Sequence, residues 1–311
     1  MTASRTSSPT TRSRALGAML GQIIGDNLGA LVEFEPAEDI REAYPNGVRE
    51  LTGGGPHGVV PGQPTDDSEL ALALARSLVR RGGFDEDDVR GAYRRWASSN
   101  PFDIGGTCAA ALRRPYERDA GKPTNGALMR VSPLAVAYAG NPKVAGELAR
   151  TDARLTHPHP YPVSINAAYT AALADVISGA DPQHALRAHA GELADEVDTY
   201  LSTPPGDVVH KQGWVRHAFH ITCWFAANTT SFEEDLVAVV GLGGDTDTNA
   251  AIAGAFLGAL HGADAIPQRW RDPVEQYQKD ATDRPEEYAP HDIAQLTDAL
   301  LALAKTSAQN V

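Results

Sequence analysis

The chain has 311 residues, 42% of them hydrophobic and 22% charged, an ordinary globular composition with ample length to bury one core. Its net charge of −13 argues against a nucleic-acid-binding face, though not against a nucleotide in a metal-lined pocket. No apolar run reaches about 18 residues free of charge, so no membrane span is expected. Cys108 and Cys223 lie far apart in apolar helical surroundings, which suits a reduced, cytoplasmic protein.

Residues 1–13 are rich in Ser, Thr and Arg and lack the apolar centre of a signal peptide; a disordered tail is expected there. Residues 14–33, RALGAMLGQIIGDNLGALVE, repeat glycine at 17, 21, 25 and 29, one helix face. Each glycine costs roughly 1 kcal/mol of helix propensity against alanine, and close helix–helix contact is the gain that would offset it. Gly254, Gly258 and Gly262 repeat the pattern, predicting two small-faced helices deep in the core. Asp26 and Glu33 are seven residues apart, two helical turns, hence on a common face. Glu33, between Val32 and Phe34, is either a partly buried acid or a solvent-facing helix end.

A long Gly/Pro loop fills 44–63 and leads straight into PTDDSE at 64–69. Thr65, Asp66 and Asp67 put hydroxyl and carboxylate oxygens at the start of a helix expected over 65–81, followed by another over 86–98. PFDIGGTC, 101–108, is a glycine turn whose amides and Asp103 could touch a polar ligand. KPTNGALMRVSPL, 122–134, carries an Asn125-Gly126 turn that can present N–H groups to phosphate. His157 and His159 sit in the rigid THPHPYP loop without Cys or His partners at zinc spacing, so a structural or substrate-contacting role is expected. Helical patterns continue at 142–154, 163–178, 183–201, 213–227, 231–240, 248–261, 268–280 and 291–305, with Trp214 and Trp224 expected in the core. Strand signals are scarce. The fold class is therefore all-α, a single multi-helix domain over 14–305 with a flexible tail at 306–311.

The stretch GLGGDTDTN, 241–249, opens the second glycine-faced helix. Asp, Thr and Asn are good N-caps, and acidic groups suit the positive end of a helix dipole. One acidic residue would suffice. Asp245, Asp247 and Thr248 together over-supply the cap, and a cluster of hard oxygen donors suggests a divalent cation. An EF-hand loop is excluded by Ala250 and Phe256 where Gly and Glu are needed, and a dinucleotide fingerprint by Thr246. If this helix start converged with that at 65–67, four carboxylates would share one site. Their repulsion would raise their pKa values unless positive charge were present.

Lined up, these stretches resemble the ADP-ribosylglycohydrolase family, near its bacterial dinitrogenase-reductase-activating branch. The resemblance rests on GDNLGALVEF at 25–34, PTDDSE at 64–69, PFDIGGT at 101–107, TNGALMRVSP at 124–133, TH at 156–157 and GGDTDTNAAIAGA at 243–255, in the family's order. It implies an all-α fold with a dinuclear metal cleft holding two Mg²⁺ or Mn²⁺ ions, with Thr65, Asp66, Asp67, Asp245, Asp247 and Thr248 as ligands. Ser68 departs from the family's usual Thr but keeps the hydroxyl. Glu33 is implied as an acid/base or substrate-gating group, with Asp67 and Asp247 beside it in the catalytic set. Asp103 and Gly106 match positions near the distal ribose and leaving group. The segment Asn125, Gly126, Ala127 to Met129 matches the diphosphate contact, and His157 the histidine beside it. The activity implied is metal-dependent cleavage of the C1″ glycosidic bond of an ADP-ribosylated protein, arginine-linked first, with free ADP-ribose as product. Serine-linked or nucleobase-linked ADP-ribose, a non-catalytic ADP-ribose-binding or structural member, and a phosphohydrolase of the diphosphate are the alternatives. A monomer is expected.

Overall fold

Two glycine-striped helices, pressed together at backbone distance, form the centre of the molecule. The computed structural model describes residues 8–117, 119–277 and 282–307. Helix α1, Thr11–Gly29, begins where the Thr10 hydroxyl accepts the Ser13 N–H. Helix α13, Thr246–His261, runs antiparallel against it. A Cβ added at Gly17, Gly21 or Gly25 would lie 2.1, 2.1 or 2.0 Å from the carbonyl oxygen of Gly258, Gly254 or Ala250. As one partner climbs by four residues the other falls by four, so the two stripes are in register for their whole length. From Ala15 to Gly29 every residue of α1 is buried. Helix α13 is likewise buried from Thr246 to Ala259, as befits a central pair. A Gly25→Leu change should cost at least the 1–3 kcal/mol or so typical of overpacking. Thermal melting checks this: an unaltered melting temperature would mean that the α1–α13 seam is not close-packed.

The other helices wrap this pair: α2 Ala37–Ala43, α3 Asp66–Arg81, α4 Glu86–Ser98, α5 Gly106–Leu112, α6 Ser132–Ala137, α7 Pro142–Arg154, α8 Pro160–Ile177, α9 Pro182–His189, α10 Ala194–Ser202, α11 Val215–Ala227, α12 Phe232–Val240, α14 Gln268–Glu275 and α15 Ile293–Ser307. Among the described residues there is no sheet, only isolated bridges at Pro36–Gly243, Gly54–Val59 and Thr124–Trp214. The all-α expectation holds, and among the described residues no helix is long and apolar enough to cross a membrane.

Several boundaries differ from expectation. Helix α1 ends at Gly29, so Glu33 lies in the turn beyond it and shares no helix face with Asp26. Asp247 packs under Gly29, where a Cβ would meet its backbone at 2.4 Å, and the chain turns away there. The 183–201 pattern breaks around Gly191 into α9, a 3₁₀ turn and α10. Trp96 and Trp270 are the fully buried tryptophans, whereas Trp214 and Trp224 are only partly covered. Residues 11–13 of the supposed disordered tail form the first turn of α1, where Arg12 pairs with Asp298 of α15 at 2.7 Å; residues 1–7 lie outside the described residues. At the other end, 306 and 307 belong to α15 and 308–311 lie outside, as do 278–280 of the stretch expected to continue α14.

Candidate functional site

The starts of α3 and α13, distant in sequence, meet. The Thr248 hydroxyl donates to Asp67 Oδ2 at 3.4 Å, and the Thr65 hydroxyl donates to the same oxygen at 3.2 Å. Capping at α3 is already done by other atoms. Thr65 Oγ1 accepts the Asp67 N–H, while buried Asp26 of α1 accepts the N–H groups of Thr65 and Ser68 at 3.1 Å. At α13, Asp247 Oδ1 accepts the Thr248 N–H at 2.8 Å, whereas Asp245 caps no amide of the helix. It accepts from Asn125 Nδ2 at 2.7 Å instead. Asp66 accepts the Gly105 N–H at 3.0 Å, tying the 101–108 turn to the same centre. Asp67 is fully buried and its Oδ1 has no partner.

Backbone geometry explains the convergence. Gly243 and Gly244 both hold φ near +78°, which a β-carbon would disfavour. The Phe34 N–H donates to the Gly244 carbonyl at 2.7 Å, and Gly244 N–H to Glu35 at 2.9 Å. That pairing, with the Thr246 hydroxyl on the Gly29 carbonyl at 2.7 Å, sets the turn carrying Glu33 against the acidic loop.

The resulting cleft of about 350 Å³ is lined by Glu33, Asp66, Asp103, Gly106, Asn125, Gly126, Met129, His157, Asp245, Asp247 and Thr248, among others. Thr65 and Asp67 lie fully buried beyond this lining. Ala127 does not face the cleft: it packs in a small apolar cluster with Ala153 and Val163, because the turn after Gly126 points it inward. Glu33, Asp245 and Asp247 offer oxygens within 4.8 Å of one another, and Glu33, His57 and Asp103 offer two oxygens and a ring nitrogen within the same distance.

So many carboxyls in a buried centre resist ionisation. Burial, then Asp66 and its acidic neighbours, pushes Asp67 well above the carboxylate range; burial, then Asp67, does the same to Asp247. Asp66 and Asp245 are raised as well, first by burial. Burial raises Asp26 to about 7, and burial with the charges of Asp103 and Asp245 raises Glu33 to about 8. His157 moves the other way, to about 3, through burial and the nearby Arg130 cation, so it faces the cleft neutral. Its Nδ1 meets the Thr156 hydroxyl at 2.7 Å. Burial pushes the Cys108 thiol up to about 12, which leaves it inert.

Three supporting residues escaped the sequence reading. For Asp26 the sequence offers only a spacing. His57 was one residue in a long loop; its Nε2 lies 3.0 Å from Glu33 Oε2. Arg130, wholly buried, pairs with Asp152 at 3.0 Å and donates to the Gly126 carbonyl and Thr156 hydroxyl at 3.1 and 2.9 Å. It thereby fixes both the 124–129 turn and the TH loop. No local signal marks a buried Arg–Asp pair whose members are 22 residues apart. Asp152→Ala should destabilise by about 3–5 kcal/mol, because it strands a buried guanidinium. Denaturant melts check this; a change within 0.5 kcal/mol or so would show that the pair is solvated.

Comparisons with known proteins bear on the family and the fold. The family model described as ADP-ribosylglycohydrolase matches residues 7–310. The ADP-ribosyl-[dinitrogen reductase] glycohydrolase of Rhodospirillum rubrum is 35% identical over 95% of this chain and 98% of its own length. The ADP-ribosylarginine hydrolase Tri1 of Pseudomonas putida is 28% identical over 84% of this chain and 74% of its own. A solved structure described as an ADP-ribosylglycohydrolase-related protein complex superposes with a TM-score of 0.76 at 33% identity, covering 96% of this chain and 99% of that one.

Proposed function

The chain belongs to the ADP-ribosylglycohydrolase family, and on that premise we propose that it removes ADP-ribose from modified arginine side chains, using two divalent cations, Mg²⁺ or Mn²⁺. One observation carries the reading: Asp67 Oδ1 is buried without a partner at the meeting point of two acidic helix starts. A buried, unpaired carboxylate oxygen beside like charges is costly, and a cation offsets that cost. Thr65, Asp66, Asp67, Asp245, Asp247 and Thr248 fit the ions, offering hydroxyl and carboxylate oxygens and no nitrogen or sulfur, a donor set that favours Mg²⁺ or Mn²⁺ over zinc. When bound, the ions supply Lewis acidity toward the ribose hydroxyls and the attacking water.

The chain's own residues do the rest. Cleavage of the C1″ bond passes through an oxocarbenium-like state and needs a proton moved at the leaving nitrogen or the attacking water. Glu33, on the cleft wall, is the group placed to hold or take that proton. Asp103 and Gly106 border the leaving-group end. Asn125 and Gly126 offer amide donors to the diphosphate, and neutral His157 beside them adds no charge of its own. The carboxylates of Glu33 and Asp103 suit a guanidinium leaving group, and two of the relatives are named for ADP-ribosyl-dinitrogen reductase and ADP-ribosylarginine. Two free, buried cysteines suit a cytoplasmic enzyme, acting as a monomer.

The test offers purified protein arginine-, serine- and nucleobase-linked ADP-ribose with Mg²⁺ and identifies products. Free ADP-ribose from the arginine conjugate is expected. AMP plus ribose phosphate would indicate diphosphate hydrolysis, and no product from any conjugate would indicate a binding protein.

A further inference from the structure

Glu33 belongs to two clusters of different chemistry. Toward the cleft floor it joins Asp245 and Asp247, all oxygen. Toward the rim it joins His57 and Asp103, which adds an imidazole nitrogen. His57 is carried by the tip of a small hairpin, closed by reciprocal hydrogen bonds between Gly54 and Val59 at 2.7 and 3.0 Å. Its ring is flanked by Phe34 and Phe102, at centroid separations of 6.5 and 5.8 Å. Its Nε2 lies 3.0 Å from Glu33 Oε2 and 3.7 Å from Asp103 Oδ2. Donors about 2.0–2.2 Å from one zinc ion stand roughly 3.0–3.5 Å apart; the Glu33–His57 pair already has that spacing, the His57–Asp103 pair lies just beyond it, and all three ligand atoms fall within 4.8 Å of one another.

We propose that Glu33, His57 and Asp103 form a rim site, sharing Glu33 with the cleft floor, for a transition-metal cation of the zinc class, and that its occupation inhibits the enzyme. The nitrogen donor sets this site apart from the oxygen-only centre. Imidazole with two carboxylates favours zinc over Mg²⁺ or Mn²⁺, in keeping with the general order of divalent affinities. Binding displaces protons from the donors and forms three metal–ligand bonds; no redox step is involved. An ion held there ties Glu33 away from proton transfer and covers the leaving-group end beside Asp103. The inhibitory consequence rests on the hydrolase reading above; the binding itself does not.

The experiment saturates the protein with Mg²⁺ to fill the oxygen-only centre, then titrates Zn²⁺ calorimetrically into wild type and His57→Gln. Wild type should bind one zinc that His57→Gln binds at least about tenfold more weakly. X-ray absorption of the zinc-loaded wild type should show an imidazole neighbour. In turnover with Mg²⁺, zinc should slow the wild type, and His57→Gln should need about tenfold more zinc for the same fractional loss, each compared with its own zinc-free rate. Equal zinc affinity in both proteins, or no zinc bound by wild type, overturns the site and leaves His57–Glu33 an ordinary hydrogen bond. Failure of the hydrolase reading looks different: no ADP-ribose is released even without zinc, while the calorimetric difference between the two proteins persists.

Discussion

Asp67→Asn or Asp247→Asn should abolish ADP-ribose release while raising the melting temperature of the chelated protein at pH 8. Two effects separate a ligand from a cap. Loss of a helix cap costs about 1 kcal/mol of stability and leaves catalysis untouched. Loss of a ligand removes turnover, yet takes one carboxyl out of a crowd that the folded state must otherwise hold together. Asp67 and Asp247 each raise the other's pKa, after burial. The direction with pH follows from which state holds more protons. In an unfolded chain the carboxyls titrate near 4, whereas Asp26 and Glu33 titrate at about 7 and 8 in the metal-free fold. Across that window the folded state binds more protons, so stability present at low pH is lost as pH rises toward 8. Melts of chelated wild type should therefore fall from pH 5 to pH 8, and the gain from Asp67→Asn should be largest at pH 8. A chelated variant that melts lower than wild type at pH 8, with activity retained, would make Asp67 a cap.

Glu33→Gln should keep the fold and the bound ions but lose turnover by about 10²–10⁴-fold, the usual worth of a positioned acid–base group. Glutamine preserves the shape and hydrogen bonding against His57, so stability should change little. The loss should lie in kcat, since amide and carboxyl fill the same space beside the substrate. A variant turning over at the wild-type rate would remove Glu33 from the chemistry and leave it as a wall of the cleft.

What was legible in the chain follows the range of each signal. The glycine stripes at 17, 21, 25 and at 254, 258 are local and periodic, and they led directly to the central helix pair. The doubled acidic helix starts were legible as an excess, because one cap needs only one acceptor. Other features depend on contacts that periodicity does not carry. Glu33 reaches the centre through a turn pinned by Phe34 to Gly244, not along a helix face shared with Asp26. Asp26 itself turns out to serve the α3 amides, a task invisible until α1 and α3 are packed. His57 sits in a loop whose Gly and Pro content announced a turn but gave no direction for one side chain. Ala127 belongs to a matched motif yet packs inward, because adjacent residues of a turn face different ways.

Calorimetric titration of Mn²⁺ into wild type and Asp67→Asn tests the central claim most directly. Two ions bound by the wild type, with that binding lost or greatly weakened in the variant, is the result expected of a dinuclear centre between α3 and α13. No divalent-ion binding to the wild type, or equal binding to both proteins, would contradict it and reduce the two acidic clusters to helix starts that happen to meet.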